Sequence, residues 1–139
     1  MLELNLGTLT SNRSDQQSAL QREEILQDFK LACLSREISL LSRREVLTGK
    51  AKFGVSGDGK EIPQLAMARA FKKGDFRSGY YRDQTFMLAL GVMSVEDFFA
   101  QLYADPQNDP FSGRRQMNAH LATPTIDEQG NWLISLDRY

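Results

Sequence analysis

Apolar residues recur at three- and four-residue spacing through the N-terminal half of the chain, and this period commits it to a helical scaffold. Leu31, Leu34, Ile38 and Leu41 share a helical face that Ile25, Leu26 and Phe29 begin. The spacing predicts one long helix from about Glu23, closed by Thr48-Gly49 with glycine at the usual C′ position. A stripe of that length needs a partner, so the helix is expected to be a scaffold that faces another subunit. Residues 6–20 are polar and rich in Ser, Thr, Asn and Gln, so 1–22 is expected to form a flexible N-terminal arm.

The rest of the chain reads as shorter helices joined by loops. A glycine-containing loop over 54–59 leads to a second helix from about Lys60 to Phe71, with Pro63 tolerated in its first turn and Gly74 as its stop. A third helix is expected after Asp83, through Thr85-Phe86-Met87-Leu88-Ala89-Leu90. A fourth should start at Ser94, where Asp97 three residues on approximates a capping box, and should end at Asp105-Pro106. Asn108-Asp109-Pro110 and the segment from Gly113 read as loop. A weak hairpin signal lies at Glu128-Gln129-Gly130-Asn131, before a short strand Trp132-Leu133-Ile134. The expected fold is therefore mostly α, with a helical body over 23–121 and an extension over 122–139 that holds a short hairpin.

Composition narrows the function classes. A chain of 139 residues has the size of one domain and can bury a modest core. Its formal net charge is −1, and the pairs Arg43-Arg44, Lys72-Lys73 and Arg114-Arg115 read as solvated faces, so no nucleic-acid partner is expected. No apolar run approaches the roughly 18 residues of a membrane span, and no leader pattern opens the chain; a cytoplasmic protein is expected. The single cysteine, Cys33, can form neither an internal disulfide nor a cysteine metal site, and is expected to be a buried small hydrophobe.

The segment Gly79-Tyr80-Tyr81-Arg82-Asp83-Gln84-Thr85 carries the chemistry. It sets a phenol, a guanidinium and a helix start within a few residues, as phosphate binding requires. Arg82 has a planar, always-charged fork that can grip two phosphate oxygens. Asp83 is a candidate N-cap for the third helix, whose free N–H groups would add positive potential. Residue types alone leave open a second reading, in which Arg82 pairs with a carboxylate at the helix start. Tyr80 reads as a packing residue.

Taken in order, Gly59-Lys60-Glu61, Arg77 to Asp83, Gly91 to Phe99 and Gly113-Arg114-Arg115-Gln116-Met117-Asn118-Ala119-His120 resemble a known pattern. The pattern is that of the alpha subunit of the thiamine-diphosphate-dependent dehydrogenase component of 2-oxoacid dehydrogenase complexes. The resemblance covers roughly residues 23–121. It implies that the chain is the helical N-terminal segment of an α/β thiamine-diphosphate-binding fold, lacking most of the parallel sheet.

That resemblance assigns Tyr81 and Arg82 to the cofactor diphosphate. It sets Phe53, Val55 and Gln116 at the substrate pocket, with Val55 favouring a branched-chain 2-oxoacid. It sets His120, the only histidine, near the active-site entrance, where a proton-carrying role and a structural one are both open. Gly57-Asp58-Gly59 resembles half of the family's metal motif but lacks the downstream asparagine, and reads as a turn. The Mg²⁺ ligands are expected outside this chain.

The implied activity is oxidative decarboxylation of a 2-oxoacid with acyl transfer to lipoamide. The implied partners are a dehydrogenase beta subunit or fused beta region and a lipoyl transacylase core. The chain alone is expected to be inactive and, with apolar surface uncovered, to form a homo-oligomer. The alternative is a non-catalytic helical protein-interaction module.

Overall fold

The computed structural model describes residues 6–72, 75, 79–112, 125–126 and 132–133; side chains are described from 18 to 112 within these, except at 19. Its elements in chain order are α1 (Leu6–Leu47), α2 (Glu61–Ala70), α3 (Gln84–Ala89), α4 (Val95–Leu102), β1 (Thr125–Ile126) and β2 (Trp132–Leu133). The fold is mostly helical. β1 and β2 pair antiparallel, Thr125 with Leu133 and Ile126 with Trp132.

The chain divides into two compact units, Met1–Lys30 and Leu31–Tyr139. The first is helical from Leu6, where the sequence suggested an arm to about residue 22. Propagating a nucleated helix adds one hydrogen bond per residue fixed, so a polar stretch without proline can extend one already formed. Leu20, Ile25, Leu26 and Phe29 of this unit are exposed, Phe29 by 65%.

In the second unit α1 ends as the sequence suggested. Thr48 N donates to Arg44 O at 2.9 Å, and Gly49 takes a left-handed φ of 78°. The face that α1 buries overlaps the expected one at Ile38, which is buried, and at Leu31 and Leu41, which are half-buried, while Leu34 is exposed and serines share the face. Ser35, Ile38, Ser39, Ser42 and Glu45 are buried, whereas Leu34, Leu40 and Leu47 are exposed. Cys33 is exposed too, and not the buried hydrophobe expected of it. Small side chains let the neighbouring backbone approach α1 closely, and their hydroxyls satisfy polar groups brought in with it.

The core gathers Ile38, Ala51, Phe86, Met87, Leu88, Met93, Phe98 and Leu102, with Phe71 set edge-on to Phe86 at 5.1 Å between ring centroids. α2 packs against α3. α4 opens with a complete capping box, Ser94 Oγ accepting from Asp97 N and Asp97 Oδ2 from Ser94 N. It ends at Leu102, ahead of Asp105-Pro106, and Ala104 follows with φ 55°. At Gly54 an added Cβ would lie 2.7 Å from Leu102 Cδ1 and 3.2 Å from Val46 Cγ2, side-chain ends that would have to shift to admit it.

Candidate functional site

The turn that carries Tyr81 and Arg82 is built from polar side chains of three neighbouring segments. Gln84, fully buried, donates from Nε2 to Ser35 O at 2.9 Å, Ser35 Oγ at 3.1 Å and Ser39 Oγ at 2.8 Å. Its Oε1 accepts from Gly57 N at 3.3 Å. Ser35 Oγ and Thr85 Oγ1 lie 2.6 Å apart. Ser42 bonds Ser56 at 2.8 Å, and Ser56 Oγ donates to Ser39 O at 3.2 Å. The start of α3 and the 51–60 loop are thus both fastened to the serine face of α1.

Gln64 of α2 closes the arrangement. Its Nε2 donates to Arg82 O at 2.8 Å and its Oε1 accepts from Phe86 N at 3.0 Å. The helix start therefore receives its cap from α2. Asp83, the expected cap, makes no side-chain cap bond; its carboxylate turns back to accept from Tyr80 N at 2.9 Å. The reason is geometric: with φ −81° and ψ 18°, Asp83 lacks the extended backbone that aims a capping side chain at the next turn.

Gly57 lies against the same peptide. A Cβ there would stand 2.6 Å from Arg82 O and 3.4 Å from Gln84 Cγ. Because the opposing atom is backbone, Gly57→Ala is expected to push the loop and the Arg82 turn apart. Urea denaturation should show a loss of roughly 1–3 kcal/mol, the usual cost of overpacking.

The 57–59 run is a turn, with Lys60 N donating to Gly57 O at 3.2 Å. Asp58 is bound by Arg43 Nη2 at 2.7 Å to both carboxylate oxygens. Glu61 receives Arg36 in a bidentate pair, Nε to Oε1 at 2.7 Å and Nη2 to Oε2 at 3.0 Å, and Gly59 N at 2.9 Å. The Arg36 hydrogen bond holds the Glu61 carboxyl below its ordinary range, against the opposing effect of burial.

On this base sit Tyr80, Tyr81 and Arg82. Tyr80 is exposed; its ring lies 4.0 Å from that of Tyr81 between centroids, tilted by 35°. Its hydroxyl donates to Tyr81 Oη at 2.7 Å, and Arg82 Nη2 donates to the same oxygen at 3.2 Å. The Tyr80 bond, and then the guanidinium, hold the Tyr81 phenol below the ordinary tyrosine range; the same bond raises Tyr80.

The Arg82 guanidinium carbon stands 5.2 Å from the Tyr81 ring centroid. Among the described residues no carboxylate pairs with Arg82, and its Nε is buried without an acceptor. The second sequence reading, an arginine locked onto a local carboxylate, is therefore not what the described residues form. Tyr81 Oη accepts twice and has its own proton left to donate. A phenol proton and a guanidinium edge offered together suit an anion with several oxygens.

Other expected site residues are less closely placed. Phe53 is exposed and Val55 half-buried, on the loop whose Gly57 touches the Arg82 peptide. Gln116 and His120 lie outside the described residues. Sequence reasoning missed the supports Gln64 and Gln84. Gln64 had a signal, since Glu61, Gln64 and Leu65 fall on one helical face and are all buried. Gln84 had none, because its partners lie in distant parts of the chain.

With this geometry in view, the chain is distantly related to a dehydrogenase alpha subunit. The relative is the 2-oxoisovalerate dehydrogenase subunit alpha of Bacillus subtilis (strain 168), 33% identical over 118 residues, covering 81% of this chain and 34% of the relative. The chain thus spans about a third of the length of the curated relative it matches. No protein-family model matches the chain. No solved structure matches it either.

Proposed function

We propose that this chain supplies the diphosphate-anchoring, helical N-terminal part of a thiamine-diphosphate-dependent 2-oxoacid dehydrogenase alpha subunit, with a branched-chain 2-oxoacid favoured. The observation that carries the reading is Arg82, whose buried Nε has no acceptor beside a Tyr81 phenol with a proton to give. Those donors fit a diphosphate. Thiamine diphosphate, with Mg²⁺ held by ligands outside this chain, supplies carbanion-stabilising chemistry for the decarboxylation. Tyr81 and Arg82 would fix the anionic end, and the loop bearing Phe53 and Val55, with Gln116, would border the substrate. His120 would stand at the entrance as the candidate proton carrier. A dehydrogenase beta subunit or fused beta region, and a lipoyl transacylase core, would complete the assembly, so the chain alone should turn over no 2-oxoacid.

The experiment is a ¹⁵N-arginine NMR titration of the protein with inorganic pyrophosphate. A saturable shift of the Arg82 Nε–Hε signal supports the reading; an unmoved signal at millimolar pyrophosphate contradicts it. The exposed Ile25, Leu26 and Phe29 favour a second reading, a non-catalytic helical interaction module. That reading expects no Arg82 response to pyrophosphate, whereas self-association in light scattering is expected of both readings.

A further inference from the structure

We propose that Gln64 is the positioning residue of the anion anchor, setting from α2 the direction in which Arg82 leaves the backbone. This inference rests on the reading of Tyr81 and Arg82 as an anion grip. α3 has six residues, too few to stabilise its own first turn, and Asp83 gives it no cap. Gln64 fills the gap with one buried amide. Its carboxamide spans the carbonyl of Arg82 and the N–H of Phe86, at 2.8 Å and 3.0 Å. Those two bonds lie on either side of the peptide units that join Arg82 to α3, so they fix the rotation of the turn about its own axis.

Gly57 also lies close to the Arg82 carbonyl, where a Cβ would stand 2.6 Å from its oxygen. Among the described residues the guanidinium bonds Tyr81 Oη and stands 5.2 Å from the Tyr81 ring centroid, and the two tyrosine rings beside it are half-buried and exposed. Its starting direction is set by the backbone, on which these contacts then build. Since Arg82 has neither a carboxylate partner among the described residues nor an acceptor for Nε, the donors can meet an incoming anion only if the backbone already points them there. Gln64 touches no part of that anion. Its role is to remove the ordering cost that a free turn would add on binding.

The test uses the full chain and two variants. Gln64→Met keeps length and apolar volume but loses both bonds; Gln64→Asn keeps an amide one methylene too short to reach both groups. Circular dichroism first establishes that each variant retains the helical fold. In the ligand-free protein, both variants are expected to shift the Arg82 Nε–Hε signal and lower its order parameter, which a merely structural glutamine would not do. In titrations with inorganic pyrophosphate, affinity is expected to fall about 2- to 12-fold, the weight of one neutral hydrogen bond.

Variants that keep the native Arg82 signal and affinity overturn the role of Gln64. Should Gln64→Met fail to fold, Gln64→Asn and the ligand-free Arg82 signal carry the decision. The two failures separate cleanly. A native protein in which Arg82 never responds to pyrophosphate removes the anchor, and the inference with it. Pyrophosphate binding lost in Arg82→Ala but kept at native affinity in both Gln64 variants, with their ligand-free Arg82 signal unmoved, removes only the inference.

Discussion

Arg82→Ala is expected to weaken binding of inorganic pyrophosphate by about 10- to 150-fold, the loss of one charge-assisted hydrogen-bonded partner. The effect should fall on binding rather than folding. Among the described residues Arg82 forms no ion pair, and its one side-chain bond is to Tyr81 Oη at 3.2 Å. Among those residues its removal leaves no buried carboxylate unpaired, the usual source of large destabilisation when an arginine is deleted. Tyr81→Phe should produce a smaller loss of the same kind, since only a neutral donor goes. Calorimetric or NMR titration of the two variants gives both numbers. Equal affinity for native protein and Arg82→Ala would show that pyrophosphate binds elsewhere.

Gln84→Leu should have the opposite profile, with a large cost in stability. Gln84 ties Gly57 of the loop to Ser35 and Ser39 of α1 through one carboxamide. Leucine has similar volume but leaves Gly57 N–H buried without an acceptor and removes three bonds to α1. At about 1–3 kcal/mol for each buried polar group left unpaired, the expected loss is roughly 2–4 kcal/mol. For a chain of this size that lowers Tm by roughly 10 °C. Thermal unfolding followed by circular dichroism measures it. An unchanged Tm would mean that the serine face of α1 does not hold the loop and α3 together.

The parts of this fold that were legible in the sequence are those set by local chemistry. Thr48-Gly49 closes α1 because glycine accepts a left-handed φ; Pro63 sits in the first turn of α2, where no N–H is required; Ser94 and Asp97 cap α4 reciprocally. What failed depended on distant partners. The apolar stripe of α1 located the buried face at Ile38 but not the serines that share it, since hydroxyls at Ser35 and Ser39 are wanted only once Gln84 is packed against them. Asp83 looked like a cap because residue type alone cannot show that Gln64 reaches the same helix start from α2.

At the site, the types Tyr81 and Arg82 pointed to an anion grip, but the sequence left open whether a local carboxylate would claim the arginine. The absence of such a partner among the described residues depends on how the turn is rotated. Gln64 and Gly57 set that rotation through the Arg82 carbonyl, a backbone atom that residue type does not encode.

A structure of the protein solved with thiamine diphosphate and Mg²⁺, or with inorganic pyrophosphate alone, tests the central claim most directly. The account predicts a phosphate oxygen within hydrogen-bond distance of Arg82 Nε and another at Tyr81 Oη, with Gln64 still bonded to the Arg82 carbonyl. A diphosphate bound away from this turn, with Arg82 folded onto a carboxylate of its own chain, would contradict it.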